Sequence, residues 1–475
     1  MVKTVLKSVI AVCCFFFIHF AQAAAPTTST TEFDAWSNGD TMRIDLSHAG
    51  TSNEEHLSIN EVRHEGRWAG SRTQLLDMQN LGDYFFVVSD TQTNKPLFTR
   101  GTNSCFDDEK TDWSVCSESI RFPFPLRPIR ISFQKRNKDN LGFHELWSAG
   151  VDPTSPHINT SPLTSKASVD VILESGSPEK EVDVVILGDG YTDRDKAKFQ
   201  SDARRATGYI FAASPFKESK SSFNVRSVFT ASEDGGITSP LDGYWARTAL
   251  GCTYDAHDVE RNIDCFDNYS IREAAAVVPY DVIVILTNSK RYGGSGNYQQ
   301  YAVAAIDSSQ AEYLVQHELG HTFAGLADEY YSFASACTKT SKAEPWEPNV
   351  TSSSERQSLK WGELVAAGTL VPTPWPKEDF EAFDKKFIDT YLHLRAAKEP
   401  EQKVDDLIRE AVPKEIEILK RGQFSTQTGA FEGAQNQSCG MFRPEVNCIM
   451  FTLTPRDFCS VCSRAIRRAI AFYTK

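Results

Sequence analysis

The sequence has 475 residues, a length that allows about two or three domains. Its formal net charge is -13, and an acidic chain lacks the basic face that proteins use to bind nucleic acids, so we expect no nucleic-acid partner. Hydrophobic residues make up 40% of the chain and aromatic residues 11%, which is enough to build globular cores.

Residues 1–23 have the pattern of a secretory signal peptide. Two lysines precede an apolar run over residues 9–20, and the sequence AQA at residues 21–23 matches a cleavage signal. We therefore expect an exported chain that is secreted, periplasmic or held at the cell surface. No other stretch has about 18 uninterrupted apolar residues, so no integral membrane segment is expected in the mature chain.

The chain contains eleven cysteines, and nine of them remain once residues 1–23 are removed. In an oxidising compartment most of these should form disulfides. Cys105 with Cys116, and Cys252 with Cys265, would each close a short local loop. Because nine is an odd number, at least one cysteine stays free or pairs between molecules.

Residues 33–150 are predicted to form an all-β sandwich that serves as an accessory domain. Segments such as TMRIDLSHAG, YFFVVSD and IRISFQKR alternate in hydrophobicity or are rich in β-branched and aromatic residues, with turn residues between them. A structural role is favoured over the binding of substrate or glycans. Residues 151–178, rich in Ser, Pro and Thr, are predicted to be a linker.

Residues 179–475 have the pattern of an α/β catalytic domain. VDVVILGD from Val182 and YDVIVILT from Tyr280 are continuous apolar runs, which are typical of buried strands. Amphipathic segments at helical spacing lie between these runs. The predicted fold class is therefore α+β and multi-domain, with an N-terminal β-sandwich followed by an α/β domain.

The motif His317-Glu318-x-x-His321 carries the predicted chemistry. Two histidines four residues apart lie on the same face of a helix, where both imidazoles can bind one metal ion. Glu318 projects beside that ion and is the candidate general acid and base. These residue types at this spacing predict a zinc site of the metalloprotease kind.

A third ligand is expected shortly after the helix. In the metzincin pattern a glycine ends the helix and a third histidine follows, and here Gly325 would end it one residue later than usual. Only His393 follows His321 in the sequence, so a carboxylate is expected instead. Asp328 is the first candidate, Glu329 the second, and a distant carboxylate such as Glu410 the third.

Three further features belong to this predicted site. Met450, in the turn NCIMF, is the candidate for a methionine beneath the metal, with Met441 as the alternative. The segment YAVAAI at residues 301–306 is predicted to be an edge strand along which an extended substrate lies. The predicted substrate-binding residues are Gly293, Gly294, Ala302, Val303 and Ala304.

Cys459 and Cys462 form a C-x-x-C pair near the end of the sequence. A structural zinc site would need further ligands, for which Cys439 and Cys448 are the candidates, but their spacing is irregular. Disulfide formation is favoured for these cysteines in an exported protein.

The charged segment 376–421 is predicted to form two surface helices, broken near Pro400 and Pro413. A solvated excursion is the favoured interpretation of this segment. The alternative is that it walls one side of the substrate groove.

Several blocks resemble the secreted bacterial IgA peptidases, a zinc metallopeptidase family of the metzincin-like type. They include VVILGDGYT, FNVRSVFTASEDGG, RYGGSGNY, HELGHTFAGLADEY and FRPEVNCIMF, with GRWAGSRTQLLD and RFPFPLRP in the N-terminal region. The resemblance covers nearly the whole mature chain. It implies His317, His321 and Asp328 as zinc ligands and Glu318 as the catalytic acid and base. Residues 376–421 depart from it, because a shorter connection is expected there.

The leading hypothesis is an exported zinc endopeptidase that acts on protein or peptide substrates, with glycoproteins such as immunoglobulin A among the candidates. An aminopeptidase or deacylase with the same zinc chemistry is the alternative within the enzymes. Outside the enzymes, the alternative is a catalytically idle surface module that binds glycans or host proteins on a peptidase scaffold.

Overall fold

A computed structural model describes residues 32–106, 111–163, 167–331, 343–453 and 457–475. The predicted signal peptide, residues 1–23, lies outside the described residues, as does Cys337, which is one of the nine cysteines of the mature chain.

The N-terminal region consists of two antiparallel sheets that share one hydrophobic core, which agrees with the predicted sandwich. One sheet has the order β2-β1-β5 and the other the order β4-β3-β6-β7. Inward-facing Tyr84, Phe86 and Val88 alternate with less buried residues along β3, as expected for a strand with one face in a core. The strands are β1 (Ser37–Thr51), β2 (Glu54–Arg67), β3 (Tyr84–Asp90), β4 (Pro96–Thr102), β5 (Ser114–Pro125), β6 (Ile129–Arg136) and β7 (Phe143–Val151).

The second region is built on a six-stranded mixed sheet with the order β14-β15-β13-β9-β10-β8. The four inner strands run parallel, and the two edge strands are antiparallel to their neighbours. Strands β9, β10 and β13 are buried at every residue, which explains the apolar runs in β9 and β13. The strands are β8 (Ser168–Leu173), β9 (Val182–Asp189), β10 (Phe223–Phe229), β11 (Cys252–Thr253), β12 (Asp264–Cys265), β13 (Val282–Thr287), β14 (Gly294–Gly296), β15 (Ala302–Ala305), β16 (Phe431–Ala434) and β17 (Gln437–Arg443).

Six α-helices occur within the described residues: α1 (Lys196–Ile210), α2 (Asn268–Ala275), α3 (Ala311–Ala324), α4 (Lys377–Ala396), α5 (Glu401–Lys420) and α6 (Ser460–Tyr473). Helix α3 packs against β14, β15, α1 and α6. The predicted zinc motif therefore lies at the centre of this region. None of these helices is long and apolar enough to span a lipid bilayer.

Part of the predicted linker is a strand. Within residues 151–178, β8 pairs with β10 and forms the outer edge of the six-stranded sheet. Val169 and Val171 remain about half exposed. A short strand with so little burial, surrounded by Ser and Pro, gives only a weak sequence signal.

The charged segment folds as two helices, α4 and α5, but the predicted break at Pro413 was wrong. Helix α5 continues through Pro413 to Lys420. Proline removes a single backbone donor from a helix, and this loss is tolerated where the helix is held by packing on both sides. Val404 and Ile408 are buried before the proline, and Ile418 and Leu419 after it.

Buried charges join the two regions. The guanidinium of Arg43 is fully buried and contacts Glu65 and Glu273, both at 2.8 Å. Arg121 donates to the carbonyl oxygen of Tyr280 at 3.0 Å and its guanidinium lies 3.5 Å from the centre of that ring. Removing one partner of a buried ion pair typically costs about 3–5 kcal/mol, so these contacts fix the sandwich against the second region.

Both predicted local disulfides, Cys105–Cys116 and Cys252–Cys265, are present. Cys439 is also disulfide-bonded. Contrary to the prediction, Cys448, Cys459 and Cys462 are buried and free of disulfides.

Candidate active site

Helix α3 carries His317, Glu318 and His321 and ends as the sequence predicts. Gly325 adopts a left-handed conformation with φ of 61° and its amide donates to the His321 carbonyl at 3.0 Å. This termination requires glycine, because a side chain there would be strained. The chain turns at this point and returns towards the histidines.

The three predicted ligands converge after this turn. The Nε2 atoms of His317 and His321 are 3.1 Å apart. Asp328 Oδ1 lies 3.1 Å from His317 Nε2 and 3.2 Å from His321 Nε2. Three donor atoms therefore face a common point.

Carbonyl groups fix the histidine tautomers. The Nδ1–H of His317 donates to the Ile449 carbonyl at 3.0 Å, and that of His321 donates to the Leu326 carbonyl at 2.5 Å. Because a carbonyl only accepts, Nδ1 carries the proton in the neutral form of each ring, and Nε2 then presents a lone pair. Metal-bound histidines in proteins are commonly oriented in this way.

The charges within the cluster favour an ionised Asp328. Burial opposes ionisation of this carboxyl, but the two imidazoles outweigh it and hold its pKa well below the usual range. Burial also opposes the charge on His321, yet the Asp328 carboxylate raises the pKa of this imidazole to about 9. Burial raises the pKa of Glu318. The cluster thus supplies the negative charge that a divalent cation requires.

The other candidate carboxylates lie elsewhere. Glu329 points away from the histidines and lies beside Cys462. Glu410 is exposed on α5.

Met450, the candidate for the methionine beneath the metal, packs against α3. It is fully buried, and a side chain added to Gly320 would lie 3.0 Å from its Sδ atom. The amide of Glu329 donates to the Met450 carbonyl at 2.7 Å. The alternative, Met441, packs in a separate small cluster with Ala327 and Val350.

The predicted substrate strand is not at the edge of the sheet. β15, with Ala302, Val303 and Ala304, is buried between β13 and β14 and cannot pair with a substrate. The strand beside the site is β14. Its Gly294 comes so close to α3 that an added side chain would lie 3.1 Å from Glu318 Oε1.

A polar groove of about 420 Å³ contains the cluster. The sandwich contributes Asn103, and the β16–β17 turn contributes Gln435 and Asn436. Gly294 lines this groove, whereas Gly293 packs below it against Tyr254.

Sequence analysis missed Arg261 and Tyr330. The Tyr330 ring stacks on His317 with centroids 6.2 Å apart. Arg261 lies 5.4 Å from the centre of the Tyr330 ring and donates to its hydroxyl at 3.4 Å. No motif surrounds Arg261, because only the fold brings it to the site.

A second, apolar cavity of about 360 Å³ adjoins the groove behind Arg261 and Tyr330. Helices α4 and α5 form its far wall, with Phe387, Ile408 and Ala411 among its lining residues. Tyr391 donates to Glu260 at 3.0 Å, and Glu401 accepts from the amide of Tyr292 at 3.1 Å. The charged segment therefore walls a cavity next to the site, and among the described residues it contributes none to the lining of the groove that contains the histidines.

Comparison with protein families assigns the chain. A family model described as IgA Peptidase M64 matches residues 171–470, and one described as Peptidase M64 N-terminus matches residues 32–148. The chain belongs to the IgA peptidase M64 family. No curated protein matches the chain.

Membership of this family makes the chain a peptidase, with proteins or peptides as its substrates. M64 peptidases are generally metallopeptidases. Among the described residues of this M64 peptidase, two groups of side chains could hold a metal ion: His317, His321 and Asp328, and separately Glu329, Cys448, Cys459 and Cys462.

Proposed function

We propose that this M64 peptidase is an exported zinc-dependent endopeptidase, with its centre at His317, His321 and Asp328. The observation that carries this proposal is the convergence of two Nε2 atoms and one Oδ1 atom, all within 3.2 Å of one another, in a polar groove. Two nitrogen ligands and one carboxylate, with one side left open, are the donor set of catalytic zinc sites.

The residues present fit a zinc ion. In the neutral imidazoles that bind a metal, the Nδ1 proton of each ring is hydrogen-bonded to a carbonyl and Nε2 is left with its lone pair, and Asp328 is ionised. Zinc bound here would polarise the scissile carbonyl group and lower the pKa of water.

Glu318 is the proposed proton carrier. It follows His317 on α3 and lines the same groove as the three ligands. Its carboxylate would accept a proton from the attacking water and then deliver it to the leaving amine nitrogen. Burial raises the pKa of Glu318, which makes the carboxylate a better base.

Arg261 is proposed to stabilise the negative charge that develops on the carbonyl oxygen. Its guanidinium is held by Tyr330 at the junction of the groove and the apolar cavity. A fixed positive donor that faces developing charge lowers the barrier without reorganisation.

The apolar cavity is proposed to take a bulky apolar or aromatic side chain of the substrate next to the scissile bond. Its lining includes Tyr292, Tyr313, Phe383 and Phe451, which gives it an aromatic character. Buried apolar surface of this kind provides most of the affinity of a side-chain pocket. The cavity would therefore impose a preference on one residue of the substrate.

The test is a digest of a proteome-derived peptide library by wild type and by Glu318→Gln, with mass-spectrometric identification of the new termini. We expect internal cuts by wild type alone, next to bulky apolar residues. Release of terminal residues only would identify an exopeptidase. If wild type cuts nothing that the variant spares, the proposal is wrong.

A further inference from the structure

A second cluster of metal-binding side chains lies directly below the proposed catalytic centre. Glu329, Cys448, Cys459 and Cys462 are all buried, and one ligand atom from each lies within 4.8 Å of every other. Cys459 and Cys462 lie at the start of α6, Cys448 precedes Met450, and Glu329 follows Asp328.

The spacing of these atoms fits a tetrahedral metal site. Zinc–sulfur bonds of about 2.3 Å place two thiolate sulfurs about 3.8 Å apart at the tetrahedral angle. The sulfurs of Cys448 and Cys462 are 3.8 Å apart. Glu329 Oε1 lies 3.2 Å from the Cys462 sulfur and 4.0 Å from that of Cys459.

The carboxylate of Glu329 forms no ion pair with any described side chain. Its side chain is fully buried, Oε1 accepts from Asn349 at 3.0 Å, and Oε2 has no hydrogen-bond donor among the described residues. Arg443 is nearby, but it donates to the carbonyl groups of Gly433 and Val446 at 2.7 and 3.3 Å. An unsatisfied carboxylate oxygen that is fully buried is costly, and a bound cation would remove that cost.

Backbone amides support the sulfurs. The amide of Cys459 donates to the Cys448 sulfur at 3.3 Å, and the amide of Cys462 donates to the Cys459 sulfur at 3.4 Å. Hydrogen bonds of this kind stabilise sulfur that carries negative charge, as in metal-bound thiolates.

We propose that these four residues bind a structural zinc ion, a second metal site distinct from the catalytic one. Soft thiolate ligands select zinc over calcium or magnesium, and four protein ligands leave no position for substrate. Cys439, a zinc-ligand candidate from the sequence, is disulfide-bonded instead, and the fourth ligand is Glu329.

This ion would position the catalytic centre. Glu329 is the next residue after Asp328, and its amide is bonded to Met450. Ile449, which orients His317, follows Cys448. The zinc ion would therefore tie together the two chain segments that hold Asp328 and His317 in place.

The experiment measures metal content and the absorption spectrum of the full chain after exchange into Co²⁺. Wild type should bind about two metal ions and show an intense near-ultraviolet band from sulfur bound to cobalt. Cys462→Ser should lose that band and one ion. His321→Ala should lose one ion and keep the band, so this site is tested independently of the proposed function.

Glu329→Gln is the second variant, because it keeps the size of the side chain and all three cysteines. It should weaken cobalt binding at this site, and at saturating Co²⁺ the sulfur band should persist because all three thiolates are still present. A wild-type chain that shows no sulfur band overturns the proposal. Detection by mass spectrometry of a disulfide among Cys448, Cys459 and Cys462 in freshly purified protein would also overturn it.

Discussion

Asp328 and Glu329 are neighbours in sequence, yet their carboxylates belong to two clusters of opposite character. Asp328 joins two imidazoles in a groove, and its side chain keeps 23% of its exposure. Glu329 joins three thiols and is 0% exposed. Successive side chains of an extended segment point to opposite sides, so a single peptide bond separates the two sites. The open cluster is His317, His321 and Asp328, and the sealed cluster is Glu329, Cys448, Cys459 and Cys462. The two clusters therefore differ both in solvent access and in ligand type.

The largest effect is expected from a variant that inactivates the open cluster alone. Glu318→Gln should lower kcat by about 10²–10⁴-fold, because the proton carrier is lost while the ligands stay in place. Metal content should remain that of wild type. Kinetics on a cleaved library peptide, together with metal analysis, check both expectations, and an active variant would remove Glu318 from the mechanism.

The matched pair Asp328→Asn and Glu329→Gln separates the two clusters. Asp328→Asn should reduce the metal affinity of the open site by more than about 100-fold, and activity should fall with it. Glu329→Gln should act first on thermal stability and on the sulfur-bound metal. Equal loss of the same ion in both variants, measured by metal analysis and thermal melts, would show that the clusters are not separate.

Arg261→Gln tests whether the open cluster depends on the positive charge beside Tyr330. We expect kcat to fall about 100-fold with little change in KM, because the interaction strengthens only as charge develops. Lys290→Gln, an exposed position nearby, is the control. A change in KM alone would make Arg261 a residue that binds the substrate in its ground state.

Ala411→Trp tests the apolar cavity beside the open cluster. Filling the cavity should lower kcat/KM about tenfold for substrates with a bulky apolar residue at the favoured position. The kcat/KM of substrates with a small residue there should not change. Lys414→Trp, exposed on the same helix, should change neither. A uniform loss across substrates would mean that α5 has moved rather than that the pocket has narrowed.

Chelation should act first on the cluster of His317, His321 and Asp328 and should have its smallest effect on the buried sulfur cluster. Incubation with EDTA should remove the ion at His317, His321 and Asp328 together with activity, because this site opens to the groove. The ion bound by the buried sulfurs should remain, since Cys448 and Cys462 are 0% exposed. Metal analysis over time checks this order, and simultaneous loss of both ions would contradict it.

The open cluster could be predicted from the sequence because its parts lie close together along the chain. His317, Glu318, His321 and Asp328 fall within twelve residues, and Gly325 marks the turn that returns the chain. The sealed cluster could not, because Glu329 meets Cys462 across 133 residues of sequence. Arg261 was missed for the same reason.

Strand predictions succeeded where burial leaves a pattern and failed where it does not. The buried strands β9 and β13 each contain a run of apolar residues, which predicts a buried strand. β14 consists of Gly-Ser-Gly, which has no strand propensity, so β15 was taken for the edge. β14 lies so close to α3 that only glycine fits at its two ends. Because glycine has a low strand propensity, the sequence does not predict this strand.

A contact between the sandwich and the second region determines how far the chain can be shortened. Asn103, from the N-terminal sandwich, lines the groove, and its amide donates to the Tyr298 carbonyl at 3.0 Å. Gln300 in turn donates to the Asn103 carbonyl at 2.9 Å. Truncation near residue 150 would therefore remove part of the lining of the polar groove and uncover Glu273 and Tyr280, so we expect the smallest active fragment to include the sandwich.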